Sequence, residues 1–125
     1  MSVLDASALL ALLFKEPGHE RVAVAADGAL ASTVNLAEVL TRFVRDGHNA
    51  PAVLQHLAIY AIEWVPFDDV QAAGAAALWP RTRRAGLSLA DRACLTLALD
   101  RNLPVFTADR VWTQLGLPLD IRLIR

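Results

Sequence analysis

With 125 residues the chain is long enough for one domain with a real core and too short for two. A formal net charge of −1 excludes a bulk polyanion binder, and charges or Pro interrupt every apolar stretch before it could span a bilayer. The 55% hydrophobic content and positive mean hydropathy therefore point to a protein interface, not a membrane.

In chain order, Ser2-Val-Leu-Asp5 reads as a short buried strand and Ser7 to Phe14 as an apolar helix, ended by Lys15-Glu-Pro17-Gly18. Glu20 to Ala26 is a small helix, Asp27-Gly28 a turn, and Ala29 to Ser32 a second strand. From Asn35 to Asp46, Leu36, Val39, Leu40 and Phe43 recur at helical spacing, and Gly47 stops the run. Pro51 opens a helix to about Tyr60, and Ile62 to Val65 is a third strand. Asp68 or Asp69 then caps an Ala-rich helix to about Trp79, and Arg81-Thr-Arg-Arg-Ala-Gly86 is a polar connector. A helix from Leu89 to Arg101, a strand from Pro104 to Thr107, a short helix from Arg110 to Leu115 and a strand from Ile121 to Ile124 complete the chain. Strands alternating with helices predict a mainly parallel sheet of 4–5 strands in a three-layer α/β/α sandwich, one domain over residues 1–125.

Four acids stand at the edges of apolar segments: Asp5, Glu38, Asp91 and Asp109. Ligands of a parallel sheet bind at the carboxyl ends of its strands, where Asp5 and Asp109 fall. Glu38 and Asp91 lie near the starts of helices that follow connections to the same edge, and helical N-termini help hold carboxylates ionised. Gathered on one rim, the four must raise their pKa values or bind a cation. An all-oxygen set suits Mg²⁺ or Mn²⁺, ions that serve phosphate chemistry.

Each acid alone has a plainer role. Asp5 and Asp109 could cap the helices that follow them, and Asp91 could form a capping pair with Ser88. Glu38 falls on the stripe Asn35, Glu38, Arg42, Arg45, opposite Leu36, Val39, Leu40 and Phe43, which reads as a solvated face with a Glu38–Arg42 pair. Asp91 is harder to dismiss, because its helix has almost no polar face. One site explains all four. Ser7 and Thr107, each two positions from an acid, could orient carboxylates or bound water.

The remaining chemistry is sparse. Cys94 is a lone thiol in an apolar helix, which fits a core position and a reducing cytoplasm. His19, His48 and His56 lack zinc-ligand spacing and read as surface residues. There is no Gly-x-Ser-x-Gly elbow and no Walker or Rossmann loop. No secretory leader is expected from the first residues. All 12 basic residues but Lys15 are Arg, a planar match for phosphate that genome composition can also produce. Arg81, Arg83 and Arg84, just ahead of the Asp91 helix, are expected to dock a nucleic-acid backbone, the alternative being a solvated helix end.

Read together, Val3-Leu-Asp5-Ala-Ser7-Ala-Leu, Asn35-Leu-Ala-Glu38-Val, Gly86-Leu-Ser-Leu-Ala-Asp91-Arg-Ala-Cys-Leu and Thr107-Ala-Asp109-Arg resemble the PIN-domain family, and within it the VapC-type toxins of bacterial toxin–antitoxin pairs. The likeness runs nearly end to end. The family's acidic quartet maps onto Asp5, Glu38, Asp91 and Asp109, and its accessory hydroxyls onto Ser7 and Thr107. The resemblance implies a Mg²⁺- or Mn²⁺-dependent endoribonuclease that dimerises and is inhibited by a small cognate antitoxin. It also implies that an antitoxin segment lies over the acidic site. A non-toxin PIN-domain nuclease of RNA processing shares the same residues.

Two other acidic α/β proteins fit less well. A receiver domain needs an acidic pair after its first strand and a Lys after a late one, whereas Asp5 follows Leu4 and Lys15 is misplaced. A haloacid-dehalogenase-like phosphatase needs a second Asp where this chain has Ser7.

Overall fold

Five short strands run through the centre of the molecule, and the computed structural model describes all 125 residues. The order along the chain is β1 (Val3–Leu4), α1 (Ala6–Phe14), α2 (His19–Ala26), β2 (Leu30–Ser32), α3 (Thr33–Arg45), α4 (Ala50–Leu57), β3 (Glu63–Val65), α5 (Asp69–Ala77), α6 (Trp79–Thr82), α7 (Leu89–Arg101), β4 (Val105–Thr107) and β5 (Ile121–Leu123). Single 3-10 turns cover Arg83–Ala85 and Arg110–Gln114. All strand pairs are parallel and the sheet order is β3-β2-β1-β4-β5. The chain winds outward from β1 to β3, crosses back and winds outward again from β4. The reversal lies between β1 and β4, where a parallel sheet opens a crevice at its carboxyl edge.

Alternation along each strand divides the core in two. Leu4, Ala31 and Phe106 pack with α1, α2 and Val39 of α3 on one face. Val3, Leu30 and Val105 pack with Leu78, Trp112 and the apolar run of α7 on the other. Helix α7 is buried along Ala93–Ala98, as expected for a helix without a polar face. It lies so close to α5 that a Cβ on Gly74 would meet the Thr96 hydroxyl, hence the glycine.

The Arg81–Gly86 connector is not an open loop. It is helical through α6 and the 3-10 turn, because Pro80 suits a first helical turn and the buried Thr82 hydroxyl donates to Leu78 O at 2.8 Å. Helix α3 begins at Thr33, two residues before the expected start, since the Ser32 hydroxyl accepts from Val34 N at 3.2 Å and β2 passes into the helix without a loop. Helix α4 ends at Leu57, short of the expected Tyr60.

Candidate active site

Asp5 occupies the step from β1 to α1 in extended conformation, with its side chain turned back as helix cap. Its Oδ1 accepts from Ala8 N at 2.8 Å and from the Ser7 hydroxyl at 2.6 Å, and its Oδ2 accepts from the Thr107 hydroxyl at 2.6 Å. Only 3% of the residue is exposed. Burial pushes the carboxyl up from 3.8 to about 6, against the downward pull of the bonds from Ser7, Thr107 and Ala8, and the Asp91 charge adds a further upward push. The two hydroxyls also accept: Ala108 N donates to Ser7 Oγ at 2.8 Å, and Asp109 N to Thr107 Oγ1 at 3.0 Å. Ser7 and Thr107 thereby join the start of α1 to the segment after β4.

The other three acids are held less firmly. Half-buried Asp91 stands in the first turn of α7 and forms a full capping box. Its Oδ2 accepts from Ser88 N at 2.9 Å while its own N–H donates to Ser88 Oγ at 3.1 Å. Glu38 is exposed on α3, where burial first and then the Asp91 charge raise its pKa. The Glu38–Arg42 pair does not form; the Arg42 guanidinium lies instead 4.9 Å from the Phe14 ring centroid. Exposed Asp109 caps the following 3-10 turn, accepting from Val111 N at 3.1 Å. Three of the acids are thus caps as well as site candidates, so the plain role leaves room for the functional one.

Asp5 and Glu38 each feel the Asp91 charge, and the Asp109 backbone N–H is tied to Asp5 through the Thr107 hydroxyl. No Arg, Lys or His pairs with any of the four, since the ion pairs are His19–Glu20, Arg101–Glu63 and Arg122–Asp120. No three His, Cys, Asp or Glu side chains are drawn close enough in this conformation to hold an ion. The donor set nevertheless suits a hard cation: all oxygen, negative and uncompensated. None of the molecule's pockets is lined by Asp5, Asp91 or Asp109; a cleft of about 340 Å³ opens only beside Glu38, with Arg42 and Arg45 on its wall. An open acidic rim suits a polymer better than an enclosed small molecule.

Asn35 adjoins this candidate site, although its sequence context suggests a solvated stripe. It is 1% exposed, and its Nδ2 donates to Ala90 O at 3.1 Å while its Oδ1 has no partner. It ties α3 to the turn of α7 that carries Asp91. The available signal was its spacing, four residues before the buried Val39. Cys94 is a core thiol one turn beyond Asp91, raised first by burial and then by the charges of Asp5 and Asp91. Among the connector arginines, Arg81 donates to Gly116 O at 3.1 Å, Arg83 stacks on Trp79, and exposed Arg84 enters no ion pair.

A family model described as PIN domain matches residues 2–117. Among solved structures the chain is similar to a toxin–antitoxin complex from Klebsiella pneumoniae, with 17% identity and a TM-score of 0.79 over 100% of this chain and 98% of that one. It is similar to VapC20 of Mycobacterium tuberculosis, described as a Sarcin-Ricin loop cleaving toxin, at 17% identity and a TM-score of 0.76, covering 94% and 96% of the two chains. VapBC-5 of the same organism, a member of the VapBC family of toxin–antitoxin systems, gives 26% identity and a TM-score of 0.63 over 99% and 97%. No curated protein sequence matches the chain significantly.

Proposed function

The chain belongs to the PIN-domain family, and on that premise we propose that it is a metal-dependent endoribonuclease toxin held in check by a cognate antitoxin. The observation that carries this reading is the buried Asp5 carboxylate, coupled to Asp91 on an open rim where no basic side chain offsets either charge. Asp5, Glu38, Asp91 and Asp109 would hold Mg²⁺ or Mn²⁺. When bound, the ion would lower the pKa of a water and offset negative charge on the attacked phosphate. Ser7 and Thr107 fix both Asp5 oxygens, so this acid is oriented before any ion or substrate arrives. The starts of α1 and α7 direct positive partial charge to the same rim and favour ionised carboxylates there. Hydrolysis by water needs no side-chain nucleophile and leaves a 5′-phosphate and a 3′-hydroxyl. Arg83 and Arg84 counter the repulsion between an acidic rim and a polyanion.

The toxin reading is supported by the neighbouring structures, which include toxin–antitoxin complexes and a toxin described as cleaving the Sarcin-Ricin loop. Exposed apolar side chains such as Val70, Ile59 and Val44 offer surface for a homodimer and for an antitoxin. A buried free thiol is compatible with a reducing cytoplasm. The decisive test is cleavage of RNA by the purified chain with Mg²⁺ or Mn²⁺, its loss in chelator, and its loss in Asp91→Asn without loss of fold. Full ribonuclease activity in Asp91→Asn would sink the assignment. Sedimentation at micromolar concentration should give a dimer, and a monomer there would remove that part of the reading.

A further inference from the structure

The corner formed by α6 and the 3-10 turn after it carries more than the arginines. Three contacts fix its place. Gln71 Nε2 donates to Asp100 Oδ2 at 2.6 Å, Gly74 lies against Thr96, and Arg92 Nη1 donates to Ala75 O at 3.0 Å. Helices α5 and α7 are therefore antiparallel, and the end of α5 lies level with the first turn of α7. Trp79, Arg83 and Arg84 follow directly, at the Asp91 end of the sandwich. Arg81 of the same segment reaches Gly116, beyond the turn that Asp109 caps, so the corner bridges the segments of two of the acids.

Trp79 is 51% exposed, an apolar surface that is costly in water unless something covers it. The Arg83 guanidinium lies 5.2 Å from its ring centroid, and exposed Arg84 follows it. No acidic residue occurs between Trp79 and Ala90, whereas Arg81, Arg83 and Arg84 do. A half-exposed aromatic ring with one guanidinium over it and a second exposed cation following, neither in an ion pair, can hold single-stranded nucleic acid, with a base on the exposed part of the ring and phosphates on the guanidinium groups.

We propose that Trp79 is a stacking platform for an unpaired base of the RNA substrate, with Arg83 and Arg84 on the flanking phosphates. The strand then runs from this corner to the acidic rim. The proposal rests on the nuclease reading and names the form of RNA that suits it. A base within a duplex is already stacked and gains nothing from the platform.

The test is binding of a short fluorescein-labelled single-stranded RNA to the full chain in chelator, read by anisotropy across a salt series. Trp79→Ala should weaken binding about tenfold without changing the salt slope, because stacking releases no counterions. Trp79→Phe should stay within about threefold of the unaltered chain, since a ring remains. Arg83→Gln with Arg84→Gln should reduce the slope by about 1.4. Duplex RNA should bind Trp79→Ala and the unaltered chain equally. Unchanged affinity of Trp79→Ala for single strands, or an equal loss on duplex, overturns the platform. So does a shift from dimer to monomer in Trp79→Ala, which would make the ring a protein contact. Binding without metal is read apart from cleavage. A chain that binds through Trp79 but cuts no RNA sinks the nuclease reading alone, and one that cuts RNA with an unaltered KM in Trp79→Ala sinks the platform alone.

Discussion

The two halves of the acidic rim are built differently. On the β1–β4 side, Asp5 is buried and both its oxygens are held by three donors, two of them hydroxyls that are themselves anchored to backbone N–H groups. On the α3–α7 side, Glu38 is exposed without a hydrogen bond, and Asp91 is half-buried with one oxygen engaged by its own helix start. Asp5 is over-determined and the more strained electrostatically; Glu38 and Asp91 have fewer partners and are free to adjust. On the proposed reading, such a division would let Asp5 define where a cation sits while the others close on it.

The largest effect is expected at Asp5. Asp5→Asn should abolish metal-dependent cleavage and leave the fold intact. The same variant separates charge from shape through pH. The folded pKa of about 6 lies above the ordinary 3.8, so Asp5 contributes stability that is complete below 3.8 and lost as pH rises through 6. The melting temperature of Asp5→Asn relative to the unaltered chain, both in chelator, should therefore rise between pH 4 and pH 8 by the equivalent of about 2.5 kcal/mol. A pH-independent difference would mean that the buried half carries no electrostatic strain. Saturating Mg²⁺ should stabilise the ionised Asp5 and so counter this loss at high pH.

A smaller loss should follow from Thr107→Val, which keeps the strand but deletes the donor to Asp5 Oδ2 and the acceptor for Asp109 N. Cleavage or metal affinity should fall about 10–100-fold, as when a group supporting a metal ligand is removed. Stability should fall by about 1–3 kcal/mol, because Thr107 is fully buried and two polar groups lose their partner. Thr107→Ser should restore most of both. Failure of Ser to rescue would show that the methyl packing is needed as well as the hydroxyl.

Legibility in the sequence follows the same division. Helix α7 was readable to the residue, Leu89 to Arg101, because Ser88 caps it, Asn102 ends it in left-handed conformation and Pro104 blocks continuation, all local signals. The place of Asp5, Ser7 and Thr107 at the sheet edge was readable for a related reason: each stands within about three residues of a strand end, and strand ends fix the edge. Asn35 and Trp79 were not. The stripe drawn for α3 assumed one covered side, whereas the helix packs against α1 on one side and α7 on another, so a position that is polar by period becomes buried. The helical connector depends on Thr82 being buried, which is a tertiary fact. Asn35→Leu tests the point. It deletes the bond to Ala90 O together with the orphaned Oδ1, so these two effects on stability should largely offset. The first turn of α7 loses its tie to α3, and cleavage should fall a few-fold through KM for metal while kcat is retained. A collapse of kcat would place Asn35 among the groups that touch substrate.

The smallest effect should come from the relaxed half. Ser88→Ala deletes a hydroxyl beside an acid, as Thr107→Val does, yet here the hydroxyl receives a bond from Asp91 N and gives none to the carboxylate. The bond to the Asp91 carboxylate comes from the Ser88 backbone N–H, which Ala keeps. The cost is that of an exposed helix cap, about 1 kcal/mol of stability, and metal affinity should change less than threefold. Thermal unfolding and a metal titration of the two hydroxyl variants side by side measure this contrast. If Ser88→Ala lost metal affinity as severely as Thr107→Val, the two halves of the rim would be equally constrained. The capping box would then be a fixed part of the metal site, not a relaxed arrangement from which Asp91 turns to meet a cation.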